Sequence, residues 1–198
     1  MTTIHSARAT GWRIVALALL LLVQDAGAER RFTELGAGRG LDANVAVSLL
    51  VDRDGLLWVG SRAGLFRYDG YQETPFLHDA ERPGSVSDLD IRALYEARDG
   101  ALWVSTNTGG LNRRDPHSGE FTQYHHDSGD PRSLSDASVY GVAEDAEGRI
   151  WVGTQHGLNR LEADGRNFTR FFHADGDAAS LAHDWVYALH RGVSGQLW

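Results

Sequence analysis

Short apolar runs separated by polar turns recur along the chain at a nearly constant distance. Residues 56–60 read Leu-Leu-Trp-Val-Gly behind Asp54-Gly55, residues 101–105 read Ala-Leu-Trp-Val-Ser behind Asp99-Gly100, and residues 149–154 read Arg-Ile-Trp-Val-Gly-Thr behind Glu147-Gly148. A fourth copy opens at Gly195 and reaches Trp198. Short runs bounded by glycine and aspartate are strand signals, because helices need longer stretches with a 3.6-residue period. Neither side of these strands is consistently polar, which is the pattern of a sheet covered on both faces.

Each run has three companions. An apolar run precedes the turn glycine (residues 45–51, 91–96, 139–144 and 185–190), a second follows it (65–68, 110–113, 158–161), and a run with an aromatic closes the unit (72–77, 120–125, 168–172). Trp58, Trp103, Trp151 and Trp198 stand 45, 48 and 47 residues apart, the period of four-stranded propeller blades and not of helical repeats. The fold class expected is therefore all-β: β-propeller blades of four antiparallel strands, three complete and a fourth begun. Within one partial propeller over residues 29–198, blade 1 is expected over about 45–77, blade 2 over 90–125, blade 3 over 138–172 and the start of blade 4 over 185–198. The tryptophans are expected to fill the gaps between blades, and Gly60 and Gly153 to let backbones approach. Gly40, Ser85, Ser133 and Ser180 each precede the turn glycines Gly55, Gly100, Gly148 and Gly195 by 15 residues, so length variation is confined to the outer parts of the blades. Residues 31–35, Arg-Phe-Thr-Glu-Leu, resemble the closing runs and are expected to complete the last blade and hide an exposed sheet edge. A closed ring has four to eight blades, so the sequence reads as the N-terminal part of a longer protein.

Composition narrows the chemistry. The 19 basic residues are all arginine and face 27 acidic ones, for a net charge of −8, which argues against a nucleic-acid surface. Without lysine the chain carries no Walker loop and no Schiff base, and without cysteine it carries no thiol nucleophile, disulfide or Cys-ligated zinc. Arg8 and Arg13, the uncharged run 14–23 and the Ala26-Gly27-Ala28 site predict a secretory signal over residues 1–28, the apolar run being too short to span a bilayer.

Several tempting sites reduce to structural positions. His78, His126 and His173 each precede the serine of the next approach by seven residues, but equivalent positions on successive blades are spread around a ring, so no metal site and no cofactor is expected. Asp52-Arg53-Asp54-Gly55 lacks the later glutamate of a calcium loop, and Arg53, Arg98 and Ala146 stand where a sialidase Asp-box has aspartate. No Gly-x-Ser-x-Gly occurs, and no catalytic residue is assigned. A ligand site is expected where the segments entering the inner strands converge at the funnel mouth: Asn44, Asp88, Asp90, Asp136, Ser138, His183 and Asp184, polar residues that suit sugar hydroxyls or serve simply as turn residues.

The units Asp145 to Thr154, Gly157-Leu158-Asn159-Arg160, Phe168 and Ser133-Leu134-Ser135 resemble the two-component regulator propeller family, and the likeness extends over residues 31–198. Ser61, Ser105, Leu65-Phe66-Arg67 and Ala97 depart from its pattern. The resemblance implies seven-bladed rings forming the periplasmic sensor half of dimeric, membrane-anchored receptors, with a histidine kinase or diguanylate cyclase as output and polysaccharide breakdown products among the inputs. The function expected is a non-catalytic, ligand-sensing segment whose partners are an oligosaccharide or other small periplasmic ligand and the remainder of its own receptor chain. The alternatives are a secreted propeller enzyme acting on polysaccharide, as lyase or glycosidase, and a non-functional truncated remnant.

Overall fold

A computed structural model describes residues 46–198. The expected signal at 1–28, the closing strand at 31–35 and Asn44 lie outside the described residues. Within them the chain forms three four-stranded antiparallel sheets in simple up-and-down order. The first holds β1 (Ala46–Val51), β2 (Leu57–Ser61), β3 (Gly64–Tyr68) and β4 (Glu73–Phe76). The second holds β5 (Ile91–Glu96), β6 (Leu102–Thr106), β7 (Leu111–Arg114) and β8 (Phe121–Tyr124), and the third β9 (Val139–Glu144), β10 (Ile150–Thr154), β11 (Gly157–Leu161) and β12 (Phe168–Phe171). The first strands neighbour one another, β1 beside β5 and β5 beside β9, so the sheets are blades of an arc with these strands innermost. The ring is open.

The core is two layers between blades. Trp58, Leu65, Val86, Ile91, Leu102, Val104 and Phe121 fill the first, and Trp103, Leu111, Tyr124, Leu134, Val139, Val152 and Phe168 the second. Trp58 and Trp103 are each 2% exposed, and each anchors an aromatic chain, Trp58 to Phe76 to Phe121 and Trp103 to Tyr124 to Phe168. Gly60 is required by close approach, since a Cβ there would stand 2.6 Å from Ile91 of the next blade; Gly153 meets Val186 in the same way.

The Asp-x-x-Gly segment is a four-residue turn. Gly55 and Gly100 donate to the carbonyls of Asp52 and Ala97 at 2.9 Å, and Gly148 to that of Asp145 at 3.2 Å. These glycines have φ of 81, 86 and 85°, and Gly195 in the fourth copy has 91°, values that favour glycine. The first aspartate caps the turn and the tryptophan together. Asp52 Oδ1 accepts the amides of Asp54 and Leu56 while its Oδ2 accepts the Trp58 indole N–H at 2.7 Å, and Asp145 does the same for Glu147, Arg149 and Trp151.

The fourth copy forms a hairpin of few rungs. His190 and Trp198 exchange backbone hydrogen bonds and Arg191 pairs with Leu197. The strand expected over 185–190 is not regular: of that stretch, only His190 pairs with the second arm. Val186 is held instead by the blade before it, donating to the Thr154 carbonyl at 3.0 Å.

Candidate ligand-binding face

The segments entering the inner strands and the β2–β3, β6–β7 and β10–β11 loops meet at one end of the blades, and the sequence-predicted polar residues lie there. Asp88 Oδ2 accepts the Thr108 amide and hydroxyl at 2.9 and 2.7 Å, and its Oδ1 the Asp90 amide at 3.2 Å. Burial would raise the Asp88 carboxyl, but these bonds hold it below its ordinary value. Asp136 Oδ1 accepts the Ser138 amide at 2.7 Å, and His183 Nδ1 the Trp185 amide at 2.9 Å, the same two-residue offset in each blade. Asp184 accepts the His173 amide on its carboxylate and the Gly157 amide on its carbonyl, both at 2.6 Å. Asp90 and Ser138 fix one loop between them: the Asn107 amide donates to the Asp90 carbonyl at 2.9 Å, and the Ser138 hydroxyl to the Asn107 carbonyl at 2.7 Å. Asp88, Asp136, His183 and Asp184 thus use these groups on turns and loop contacts, while the Asp90 carboxylate and Asp136 Oδ2 accept no hydrogen bond among the described residues.

What Asn107 positions is Arg92, a residue that the sequence did not single out. Each innermost strand carries a β-bulge at its entry: Ala46 pairs with Ser61 and Ser48 with Gly60, Ile91 with Thr106 and Ala93 with Ser105, Val139 with Thr154 and Gly141 with Gly153. The skipped residues are Val47, Arg92 and Tyr140, and Tyr187 follows at the same place in the fourth copy. A bulge re-aims its side chain, and these converge across blades. The Arg92 guanidinium lies 5.3 Å from the Tyr140 ring centre, and Tyr140 stacks on Tyr187 at 5.0 Å and 27°. Trp185 joins both rings, at 5.9 Å from Tyr140 and 6.1 Å from Tyr187. These contacts join the entry ends of the innermost strands of blades 2 and 3 to the fourth copy. Asn107 Oδ1 accepts from Arg92 Nη2 at 2.5 Å and fixes the guanidinium.

The neighbouring position behaves in the opposite way. Ile91 and Val186 pack on Gly60 and Gly153 of the blade before, and Val139 at the same place in blade 3 is apolar and buried. The bulge position varies among Val47, Arg92, Tyr140 and Tyr187, so blade packing does not dictate it. That variation within a strict repeat was the available sequence signal.

His78, His126 and His173 are structural. Nδ1 of His78, His126 and His173 meets the carbonyl eight residues on, Val86, Leu134 and Leu181, at 2.9, 2.7 and 2.6 Å. The Leu181 carbonyl, and after it Asp175, raises the His173 pKa above its ordinary value. Among the described residues no group of three His, Asp or Glu side chains could hold a metal ion, and no helix is long and apolar enough to cross a membrane.

Three antiparallel four-stranded blades with a polar, aromatic inner wall define a β-propeller segment. Residues 40–63, 85–108 and 133–156 each match the two component regulator propeller family, so the chain carries three repeats of that family. In fold it is similar to the extracellular domain of BT3049 from B. thetaiotaomicron, described as a hybrid two component system, with a TM-score of 0.71 and 22% identity over 83% of this chain. The extracellular domain of BT4673 from the same organism, described as a one component system, gives 0.69 and 23% over 85%. The chain spans 23% and 22% of the length of these two domains. Virginiamycin B lyase from Staphylococcus aureus shares the fold at 0.57 and 18% identity, covering 78% of this chain and 48% of the lyase. No curated protein matches the chain.

Proposed function

We propose that the chain is a ligand-sensing propeller segment of an exported receptor, working outside the cytoplasm and acting by binding and not by catalysis. The observation that carries this is the axial wall of Arg92, Tyr140, Tyr187 and Trp185, set in repeats of the two component regulator propeller family. Aromatic rings beside a fixed polar group are the usual makings of a small-molecule site. The ligand is an oligosaccharide or another small periplasmic molecule. Its binding favours one arrangement of a receptor dimer, and that population shift biases a histidine kinase or diguanylate cyclase in the remainder of the same receptor chain. The segment enters the periplasm through the signal at residues 1–28.

Trp185 makes the reading testable, because a ligand on the wall changes its fluorescence. Titrating neutral and acidic oligosaccharides into the 198-residue chain should give a saturable change with at least one of them, lost in Tyr187→Ala. A flat response to all of them, or one indifferent to Tyr187→Ala, sinks the sensing role of the wall. Reading the coding sequence onward from Trp198 tests the receptor assignment: a membrane helix and a kinase or cyclase support it, and an unrelated enzyme domain overturns it.

A further inference from the structure

We infer that the wall recognises a sugar ring bearing a carboxylate, with the acid on Arg92 and the ring against Tyr187 and Trp185. This rests on the reading of the wall as a ligand site and adds the charge of the ligand. Arg92 has no carboxylate within 4.0 Å among the described residues; several other arginines, Arg114 among them, share that lack, and Arg92 is set apart by its place beside Tyr140 on the wall. Its hydrogen bonding is also incomplete. Nη2 donates to Asn107, whereas Nε is buried and unpartnered. A partly buried guanidinium without a counter-ion, held in place by a neutral amide on a loop braced by Ser138, is an anion site in an otherwise acidic chain of net charge −8. The planar fork of arginine matches a carboxylate, and its charge-assisted bonds are about twice as strong as neutral ones.

The rest of the wall points to a sugar. Tyr187 and Trp185 are 67% and 48% exposed, so their surfaces are open to the C–H face of a pyranose. Two residues before Arg92 the Asp90 carboxylate is free to accept, as is Asp136 Oδ2 on the next entry segment; such acceptors suit sugar hydroxyls and repel a second acid.

Calorimetric titration of the 198-residue chain with sodium glucuronate, glucose and sodium acetate separates these contributions. Glucuronate should bind saturably, glucose and acetate each about tenfold or more weaker, the weight of one charge-assisted contact. Arg92→Gln should bring glucuronate down to the affinity of glucose, Arg92→Lys should recover part of it, and Tyr187→Ala should weaken both sugars, with far-ultraviolet circular dichroism unchanged throughout. Equal binding of glucose and glucuronate, or no effect of Arg92→Gln, overturns the acid assignment; the wall remains a ligand site if Tyr187→Ala still weakens binding. Absence of glucuronate binding at millimolar concentration also overturns it, while the oligosaccharide screen decides the sensing role independently.

Discussion

At the scale of single residues, the second blade is the imperfect copy. Trp58 and Trp151 give their indole protons to Asp52 and Asp145, but Ala97 stands at that place in blade 2 and the buried Trp103 Nε1 has no acceptor. Asp99 compensates in part, taking the Ala101 amide and the Arg113 guanidinium, yet makes no bond to the indole. Ala97→Asp should supply the missing acceptor and raise stability by about 1 kcal/mol, read as a higher urea midpoint at unchanged slope. A fall in the midpoint would mean that desolvating the new carboxylate at this 4%-exposed site outweighs the bond. The complete copy predicts a pH dependence. Burial by itself would raise the Asp145 carboxyl, but the Trp151 indole and the Arg149 amide and guanidinium hold it at about 2, against 3.8 ordinarily. The folded value is the lower one, so the stabilisation is present above about pH 4 and is lost as pH falls from 4 towards 2. It amounts to about 2 kcal/mol. Urea midpoints at pH 5 and pH 2.5 should differ by less in Asp145→Asn than in the natural chain.

At the scale of elements, blades 2 and 3 are each locked to their entry segments by one asparagine, a place that Phe66 takes in blade 1. Asn159 Oδ1 accepts the Ser135 amide at 2.9 Å while its Nδ2 donates to the Ser135 hydroxyl and the Val152 carbonyl, and Asn112 repeats this with Ser87 and Val104. Both asparagines are 0% exposed. Asn159→Leu should cost about 2–4 kcal/mol, since it strands a buried amide and a carbonyl, and it should raise the hydrogen-exchange rate of the Ser135 amide above that of Ser87. The Gly-Leu-Asn-Arg and Ser-Leu-Ser motifs were plain in the sequence, as were the strands between them, because a fixed period with tryptophan and glycine in register leaves little choice of fold. The bond between the two motifs was not legible. It joins residues 24 apart and exists only once β10 and β11 have paired. The axial wall was hidden for a related reason: the bulges that expose Arg92 and Tyr140 shift the pairing by one residue and leave the apolar pattern unchanged. The sequence named Asp90 and Ser138 but not Arg92, the side chain that they position through Asn107.

At the scale of the whole arc, the turns at the opposite end clasp one another. Arg53 of blade 1 pairs with Glu96 of blade 2 at 2.7 Å and donates to the carbonyls of Ala97 and Arg98. Arg98 repeats the step onto blade 3, pairing with Glu144 at 3.1 Å and reaching the carbonyls of Asp145 and Ala146. The third step lacks both partners, because Ala146 stands in the arginine position and Arg191 in the glutamate position. The turns are nonetheless adjacent there, since a Cβ on Gly195 would lie 3.2 Å from that of Ala146. The junction between blades 3 and 4 is therefore the weakest in the arc, and installing the clasp should strengthen it. In the double variant Ala146→Arg with Arg191→Glu, the amides of His190 and Trp198, which close the fourth hairpin, should exchange about two- to fivefold more slowly, the effect of a half-exposed ion pair of about 0.5–1 kcal/mol. Arg191→Glu alone should give no protection, so the cycle of single and double variants isolates the coupling, and 1 M salt should erase most of it. If the double variant exchanges no more slowly than the singles, the clasp follows blade packing and does not contribute to it.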